Sequence, residues 1–376
     1  MPNEQSASAR IHSSFVISFV IRHSNFVIRT SSFAPMTAFR DLLLKLCYRQ
    51  DLTRDEARDA FLHIMSGQAN EAEIGGLLIG MAAKGTTVEE LVGAATVMRE
   101  KVIPVPCDEA GIVLDTCGTG GDVRHTFNIS TAAAIIVAAC GVKVVKHGNR
   151  SASGRAGSAD VLEKLGLNLQ TTPQDLARCL KEANMCFAYA RLHHPAMKFV
   201  AEARKALGIA TIFNLLGPLT NPGRTRHQLL GVFAPELTDR LAAVLRELGS
   251  RRAWVACAED GLDEISTLGP TRISELYEGH IHTWTLDPAE SGLEYARLSD
   301  LQVNSVDEAA AALTDVLDGQ GGPKRDIAIL NAAAALVVAE AADDLQDGLR
   351  LAAAAVDDGK ARQTLDVLIL CSRPSN

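Results

Sequence analysis

From Ala38 to Lys101 apolar residues recur at helical spacing, and polar punctuation divides the run. Thr53 with Glu56 and Thr87 with Glu90 have the spacing of capping boxes, while Gly67 and Gly85 separate segments. That pattern predicts several short helices in a small helical region. After Pro104 and Pro106 the pattern changes. Ile112-Val113-Leu114-Asp115 reads as a strand, Gly118-Thr119-Gly120-Gly121 as a glycine loop, and Thr131 to Cys140 as an Ala-rich helix. Strand, loop and helix make half of a parallel α/β unit. The scheme then recurs: Val142 to Val145 reads as a buried strand, Lys146 to Gly157 as a long polar loop, and Ser158 as the cap of a helix running to Leu165.

Thr172-Pro173 opens another helix, and the apolar runs Trp254 to Ala256 and Ile281 to Leu286 predict more strands. Ser305 with Glu308 starts a helix, and the Ala-rich stretches 327–342 and 349–356 read as helices covering a sheet. The expected fold class is α/β. A small all-helical N-terminal domain, residues 36–106 joined by helices from about 172–210, sits beside a larger α/β domain of residues 107–376 with a central, mostly parallel sheet.

Residues 1–35 stand apart. His12-Ser13-Ser14-Phe15-Val16-Ile17 reappears eleven residues later as His23-Ser24-Asn25-Phe26-Val27-Ile28, in a segment with Arg and Ser but almost no acid. The expectation is a non-native or disordered extension before a start at Met36 that carries no chemistry.

Composition narrows the function classes. A formal net charge of -8 disfavours general attraction to nucleic acid or an anionic membrane, so small molecules are the expected partners. No apolar run reaches the roughly 18 to 20 residues that span a bilayer. The eight cysteines have no C-x-x-C spacing and fit a reduced, cytoplasmic protein better than a disulfide scaffold.

The candidate chemistry lies between Asp115 and Ser158. Three glycines in Gly118-Thr119-Gly120-Gly121-Asp122 let backbone amides approach an anion, and Thr126, Asn128, Ser130 and Thr131 add donors at a helix start. The second loop, Lys146 to Ser158, holds three cations (Lys146, Arg150, Arg155) among small residues, the composition of an anion clamp. A phosphorylated ligand of this kind calls for a divalent cation, and Gly261-Leu262-Asp263-Glu264-Ile265 offers two adjacent carboxylates. His193-His194-Pro195 reads as a helix start with an early Pro, and His280 with His282 as part of a surface hairpin.

With these residues in view, the chain from Met36 onward resembles the anthranilate phosphoribosyltransferase family. The resemblance rests on DTCGTGGDVRHTFNIST at 115–131, KHGNRSASGRAGSADVLEKLG at 146–166, GIATIFNLLGPLTNP at 208–222 and EDGLDEIS at 259–266. It implies a homodimeric enzyme of the second step of tryptophan synthesis from chorismate, acting on anthranilate and 5-phosphoribosyl 1-diphosphate with Mg²⁺. By the same resemblance, the phosphoribosyl diphosphate is held by Gly118, Gly121, Asp122, Thr126, Asn128, Ile129, Ser130, Thr131, Lys146, His147, Gly148, Asn149, Arg150, Ser151, Ala152, Ser153, Gly154 and Ser158. Ser130, Asp263 and Glu264 are implied to hold the metal, and Gly118, Asn149 and Arg204 to hold anthranilate. Lys146, Asp263 and Glu264 are implied to stabilise charge in the reaction, and no general base is identified. Two departures fall on this pattern: Gly154 stands where the family commonly has Ser, and Arg191-Leu192 replaces a Pro- or Gln-containing dipeptide.

Two other readings compete: a pyrimidine nucleoside phosphorylase-like enzyme, and a non-catalytic homologue that binds single-stranded nucleic acid. Salt-sensitive DNA binding without turnover would mark the last. A chain started at Met36 is expected to keep full activity, which an assay of the shortened protein checks.

Overall fold

A computed structural model describes residues 38–107, 111–120, 124–151 and 156–374. The extension expected at 1–35 lies outside the described residues. The chain opens with four helices: α1 (Phe39–Cys47), α2 (Arg54–Met65), α3 (Glu71–Lys84) and α4 (Val88–Lys101). Reciprocal capping boxes start α2 at Thr53 and Glu56, and α4 at Thr87 and Glu90. A third box, Asn70 with Glu73, starts α3 and was not read from the sequence. Gly85, at φ 85, stops α3 in a conformation that an L-residue rarely adopts.

The α/β part follows as β1 (Val113–Gly118), α5 (Ile129–Ala139), β2 (Lys143–Gly148), α6 (Ser158–Lys164), α7 (Pro173–Glu182) and β3 (Met185–Tyr189). Three short helices, α8 (Ala190–His193), α9 (Ala201–Leu207) and α10 (Ile212–Leu216), lead to β4 (His227–Gly231), α11 (Glu236–Glu247) and β5 (Arg252–Ala258). The hairpin β6 (Thr271–Tyr277) and β7 (His280–Leu286) precedes α12 (Leu298–Leu301), α13 (Val306–Leu317), α14 (Pro323–Val338), α15 (Leu345–Asp357) and α16 (Lys360–Ser372).

The seven strands pair in the order β3-β2-β1-β4-β5-β6-β7. The first five are parallel, and β6 and β7 are antiparallel additions at one edge. From β1 the chain winds outward through β2 and β3, then returns to lay β4 and β5 on the other side. The strand order therefore reverses between β1 and β4, where open parallel sheets leave a crevice at the strand ends.

Several boundaries differ from the sequence reading, each for a local reason. The strand read as Val142 to Val145 runs on to Gly148, because Lys146, His147 and Gly148 continue the ladder with Phe187, Ala188 and Tyr189. Ser158 is the first residue of α6 rather than its cap. The cap is Gly157, whose N–H donates to Asp160 Oδ2 at 3.1 Å. Three strands escaped the pattern: β3 and β4 are only five residues long, and β6 mixes Thr, Arg, Ser and Glu with its apolar positions.

Two apolar cores flank the sheet. On one face α5, α13, α14, α15 and α16 pack over β1 to β3, and α5 is buried on all sides, as its Ala-rich sequence allows. The other core joins α1 to α4, α9 and α10 to α11 and to Leu230, Ala253, Val255 and Leu276 of the sheet. Residues 172–210 divide between the two: Leu176, Cys179 and Leu180 of α7 lie in the first core, Val200 and Ala203 in the second.

Glu90 ties the helical part together. It is fully buried, accepts the N–H of Leu52 (2.9 Å) and of Thr87 (2.9 Å), and pairs with the buried Lys84 ammonium at 3.0 Å. Glu90→Ala strips the acceptor from two backbone donors and removes one of the carboxylates that pair with Lys84, which keeps Asp51 (2.7 Å), and is expected to cost about 3 kcal/mol. Urea unfolding of the variant measures this.

Candidate active site

At the switch point β1 and β4 end on paired glycines, Gly118 opposite Gly231. Thr119 N–H then donates to Gly231 carbonyl at 2.9 Å, so the strand pairing continues into the loop. The segment carrying Asp263 and Glu264 passes directly over these ends. A Cβ on Gly231 would overlap the Asp263 carbonyl, and one on Gly118 would overlap the Asp263 carboxylate. Neither place admits a side chain.

The two carboxylates are oriented by the glycine loop and the helix start that follows it. Gly120 N–H donates to Asp263 Oδ2 at 2.7 Å, and Ser130 N–H, in the first turn of α5, donates to Glu264 Oε1 at 3.1 Å. Arg124 donates to the Asp260 carbonyl, which makes a third tie between the same two segments. Farther along the loop, Phe127 N–H bonds to Leu301 carbonyl (3.0 Å), Val303 N–H to His125 carbonyl (2.9 Å), and Gln302 Nε2 to Arg124 carbonyl (3.0 Å). Thr126 lies in this short bridge with Gln302. Asn128 spends its amide on Ala156 carbonyl at 3.0 Å, which joins the first loop to the second. Three buried oxygens around this corner have no protein partner among the described residues: Thr119 Oγ1, Asn128 Oδ1 and Thr131 Oγ1. Buried polar atoms of that kind are where a polar ligand or water belongs. Gly121 and Asp122 lie outside the described residues, as do Ala152, Ser153 and Gly154.

In the second loop, two of the three cations are described, and each is held by the protein. Lys146 is 2% exposed, and its ammonium donates to Thr116 carbonyl (2.6 Å) and Ser130 Oγ (3.3 Å). Burial pulls its pKa below the ordinary ammonium range, opposed chiefly by the charge of Asp115. It lies beneath the loop as a floor. Arg150 is paired with Asp160 (2.8 Å) and Glu163 (2.8 Å) on the first turns of α6, and lies over the Tyr189 ring at 5.9 Å. Arg155 lies outside the described residues. Asn149 is exposed, with its carbonyl receiving Ala159 N–H (3.3 Å) and Ser158 hydroxyl (3.4 Å). Gly148 needs its missing side chain, because Ser158 Oγ and the Phe187 ring fill that space.

A histidine pair links this loop to the segment that leads to Arg204. His147 Nε2 and His194 Nε2 are 3.2 Å apart, while His193 Nδ1 lies 2.7 Å from Ile103 carbonyl. Burial first, then His194 and His193, pushes His147 down to about 3; burial and His193 push His194 down to about 4. Both rings are neutral at pH 7, so one ring donates and the other accepts. His194 caps the short helix Pro195–Phe199, the early-Pro start expected there. Arg204 on α9 stacks over the Phe213 ring at 5.1 Å, has no ion pair among the described residues, and is shifted down by burial. Arg191 is exposed on α8 and Leu192 packs at the edge of the first core.

Residues 110–362 match the glycosyl transferase family a/b domain, and residues 40–102 match that family's helical bundle domain. The chain is 49% identical over 337 residues to an anthranilate phosphoribosyltransferase of Methylobacterium nodulans, covering 90% of this chain and 99% of that one. The chain belongs to the anthranilate phosphoribosyltransferase family. Its fold is similar to that of the family's enzyme from Thermus thermophilus (TM-score 0.83, 38% identity, 89% of this chain and 100% of the other). It is also similar to the Saccharomyces cerevisiae enzyme in complex with PRPP and Mg (TM-score 0.80, 26% identity, 90% and 99%).

The sequence reading missed Gly231 and Gln302, which shape this corner. The only signal for Gly231 was a lone glycine after a short apolar run. Gly231→Ala drives a methyl into the Asp263 backbone, and a displacement of about 1 Å at such a site is expected to lower turnover on the order of 100-fold. Steady-state kinetics on the folded variant check this.

Proposed function

We propose that the chain transfers the phosphoribosyl group of 5-phosphoribosyl 1-diphosphate to the amine of anthranilate, giving N-(5-phosphoribosyl)anthranilate and diphosphate. The observation that carries the reading is the pinning of two adjacent carboxylates by amides of the phosphate loop, Gly120 to Asp263 and Ser130 to Glu264. That arrangement suits a diphosphate held with a divalent cation. The solved yeast relative is described with PRPP and Mg, and the relatives named for this activity favour it over a phosphorylase or a nucleic-acid binder.

The donor set fits magnesium. Asp263, Glu264 and the Ser130 hydroxyl are hard oxygen ligands, too few to complete a coordination shell, so water and diphosphate oxygens would supply the rest. Among the described residues no group of three or more His, Cys, Asp or Glu forms a protein-only cage. When bound, the metal supplies charge neutralisation to the departing diphosphate.

The chain's own residues do the positioning. The glycine turn at 118–120 leaves room for the donor's oxygens, and Thr131 and Asn128 on the first loop, with Asn149, Ser151 and Ser158 on the second, hold them. Lys146 contributes a fixed positive charge from below. The anthranilate amine attacks C1′ while the C1′–O bond to diphosphate breaks, and both electrons of that bond leave with diphosphate. The amine proton is lost afterwards. No protein nucleophile is needed, and the rate gain comes from orientation and from charge stabilisation at the leaving group. Arg204, a part-buried guanidinium without a carboxylate of its own, receives the carboxylate of anthranilate. A cytoplasmic homodimer is part of this reading, and Leu44 on α1, Tyr48 at its end and Ile79 on α3 are exposed apolar residues open to a partner.

Loss of anthranilate fluorescence with PRPP and Mg²⁺ tests the activity, and no loss with folded protein refutes it. Arg204→Ala is expected to raise KM for anthranilate about 30-fold, the equivalent of ~2 kcal/mol, with KM for PRPP unchanged. Asp263→Ala is expected to act chiefly on PRPP and Mg²⁺ dependence. The reverse pattern would overturn both roles.

A further inference from the structure

Asn331 sits fully buried near the middle of α14, at the head of a run of alanines. Its Oδ1 accepts Ile265 N–H at 3.0 Å, and its Nδ2 donates to Ile265 carbonyl at 2.8 Å and to Ile327 carbonyl at 2.9 Å. One side-chain amide thus satisfies both backbone groups of a single residue, as a neighbouring strand would. No other hydrogen-bond partner reaches the Ile265 backbone among the described residues.

Ile265 immediately follows Glu264. Leu262 and Ile265, both fully buried, bracket the Asp263-Glu264 pair and root it in the core. From above, the carboxylates are held by Gly120 and Ser130; from below, their backbone is held by Asn331. A helix interior is a costly place for an amide unless each polar group finds a partner, and here the partners belong to the loop that carries the carboxylates.

We propose that Asn331 is a positioning residue for the transfer reaction: by clamping Ile265 it fixes the direction of Asp263 and Glu264, and through them the affinity for a divalent cation with diphosphate. The proposal rests on the reading of those two carboxylates as cation ligands. A purely structural amide would lower the melting temperature and leave cation binding by the folded protein untouched. Outer partners of metal ligands, by contrast, change affinity by about 10- to 100-fold when removed.

The test measures binding of Mn²⁺ by electron paramagnetic resonance in the presence of PRPP, beside thermal unfolding and steady-state kinetics. The proteins are the full chain, Asn331→Leu, Asn331→Ser, Glu264→Gln, and Leu336→Val as a stability control on the same helix. The Asn331 variants are expected to weaken Mn²⁺ about tenfold and to raise KM for PRPP in proportion, with KM for anthranilate unchanged. Leu336→Val should lower the melting temperature with Mn²⁺ affinity intact. Folded Asn331 variants with unaltered Mn²⁺ affinity overturn the proposal, as does failure of both to fold. If Glu264→Gln also binds Mn²⁺ normally, the cation-ligand reading fails with it; if Glu264→Gln weakens binding and the Asn331 variants do not, only the role of Asn331 falls.

Discussion

The site depends on one close approach, the passage of the Asp263 backbone over the glycine ends of β1 and β4. Gly118 and Gly231 leave no side chain between sheet and loop, and that absence lets Gly120 N–H reach Asp263 Oδ2 at 2.7 Å. With Ser130 N–H on Glu264, the acidic segment and the phosphate loop become one rigid corner. Backbone donors aimed at carboxylates fix their direction, and the effect grows as water is excluded. On the proposed reading these carboxylates would repel a diphosphate unless a cation lay between them, and the protein would contribute only part of that cation's shell.

The loops were legible because their signal is local. Glycines, hydroxyls and a following Ala-rich helix lie within about a dozen residues of one another, so the strand, loop and helix could be read in order from the sequence. The helical region was legible from its capping boxes, where Thr53 and Thr87 meet Glu56 and Glu90 three residues on. Features built from distant partners stayed hidden. Gly231 matters because of Asp263, and Asn331 because of Ile265, across gaps that no periodicity reports. Arg150 is a further case. Counting cations could not show that Asp160 and Glu163 on the next helix pair with that guanidinium.

Burial also changes the part played by Lys146. A strand position at the end of β2 places its ammonium inside the sheet's shoulder, where Thr116 carbonyl and Ser130 hydroxyl take its hydrogen bonds. The charge is therefore fixed in place and shielded from water, where it acts over distance more strongly than an exposed lysine would. Asp115, fully buried on the neighbouring strand, has its carboxyl pushed up by burial and is moderated by Asn221 and by Lys146. The two groups lie at consecutive levels of the sheet, and each moderates the other's shift.

The end of β2 finally joins the glycine loop to the segment that carries Arg204. Lys146 lies under that loop, and the next residue, His147, touches His194 at the start of the Arg204 segment. Because both rings are neutral, their contact is a directional hydrogen bond between two fixed tautomers rather than a repulsive pair of charges. Movement of the Arg204 segment away from the sheet would break that bond and leave buried ring nitrogens unpaired, at a cost of about 1 to 3 kcal/mol. The segment that carries Arg204 is thus held in register with the glycine loop by a contact between neutral groups.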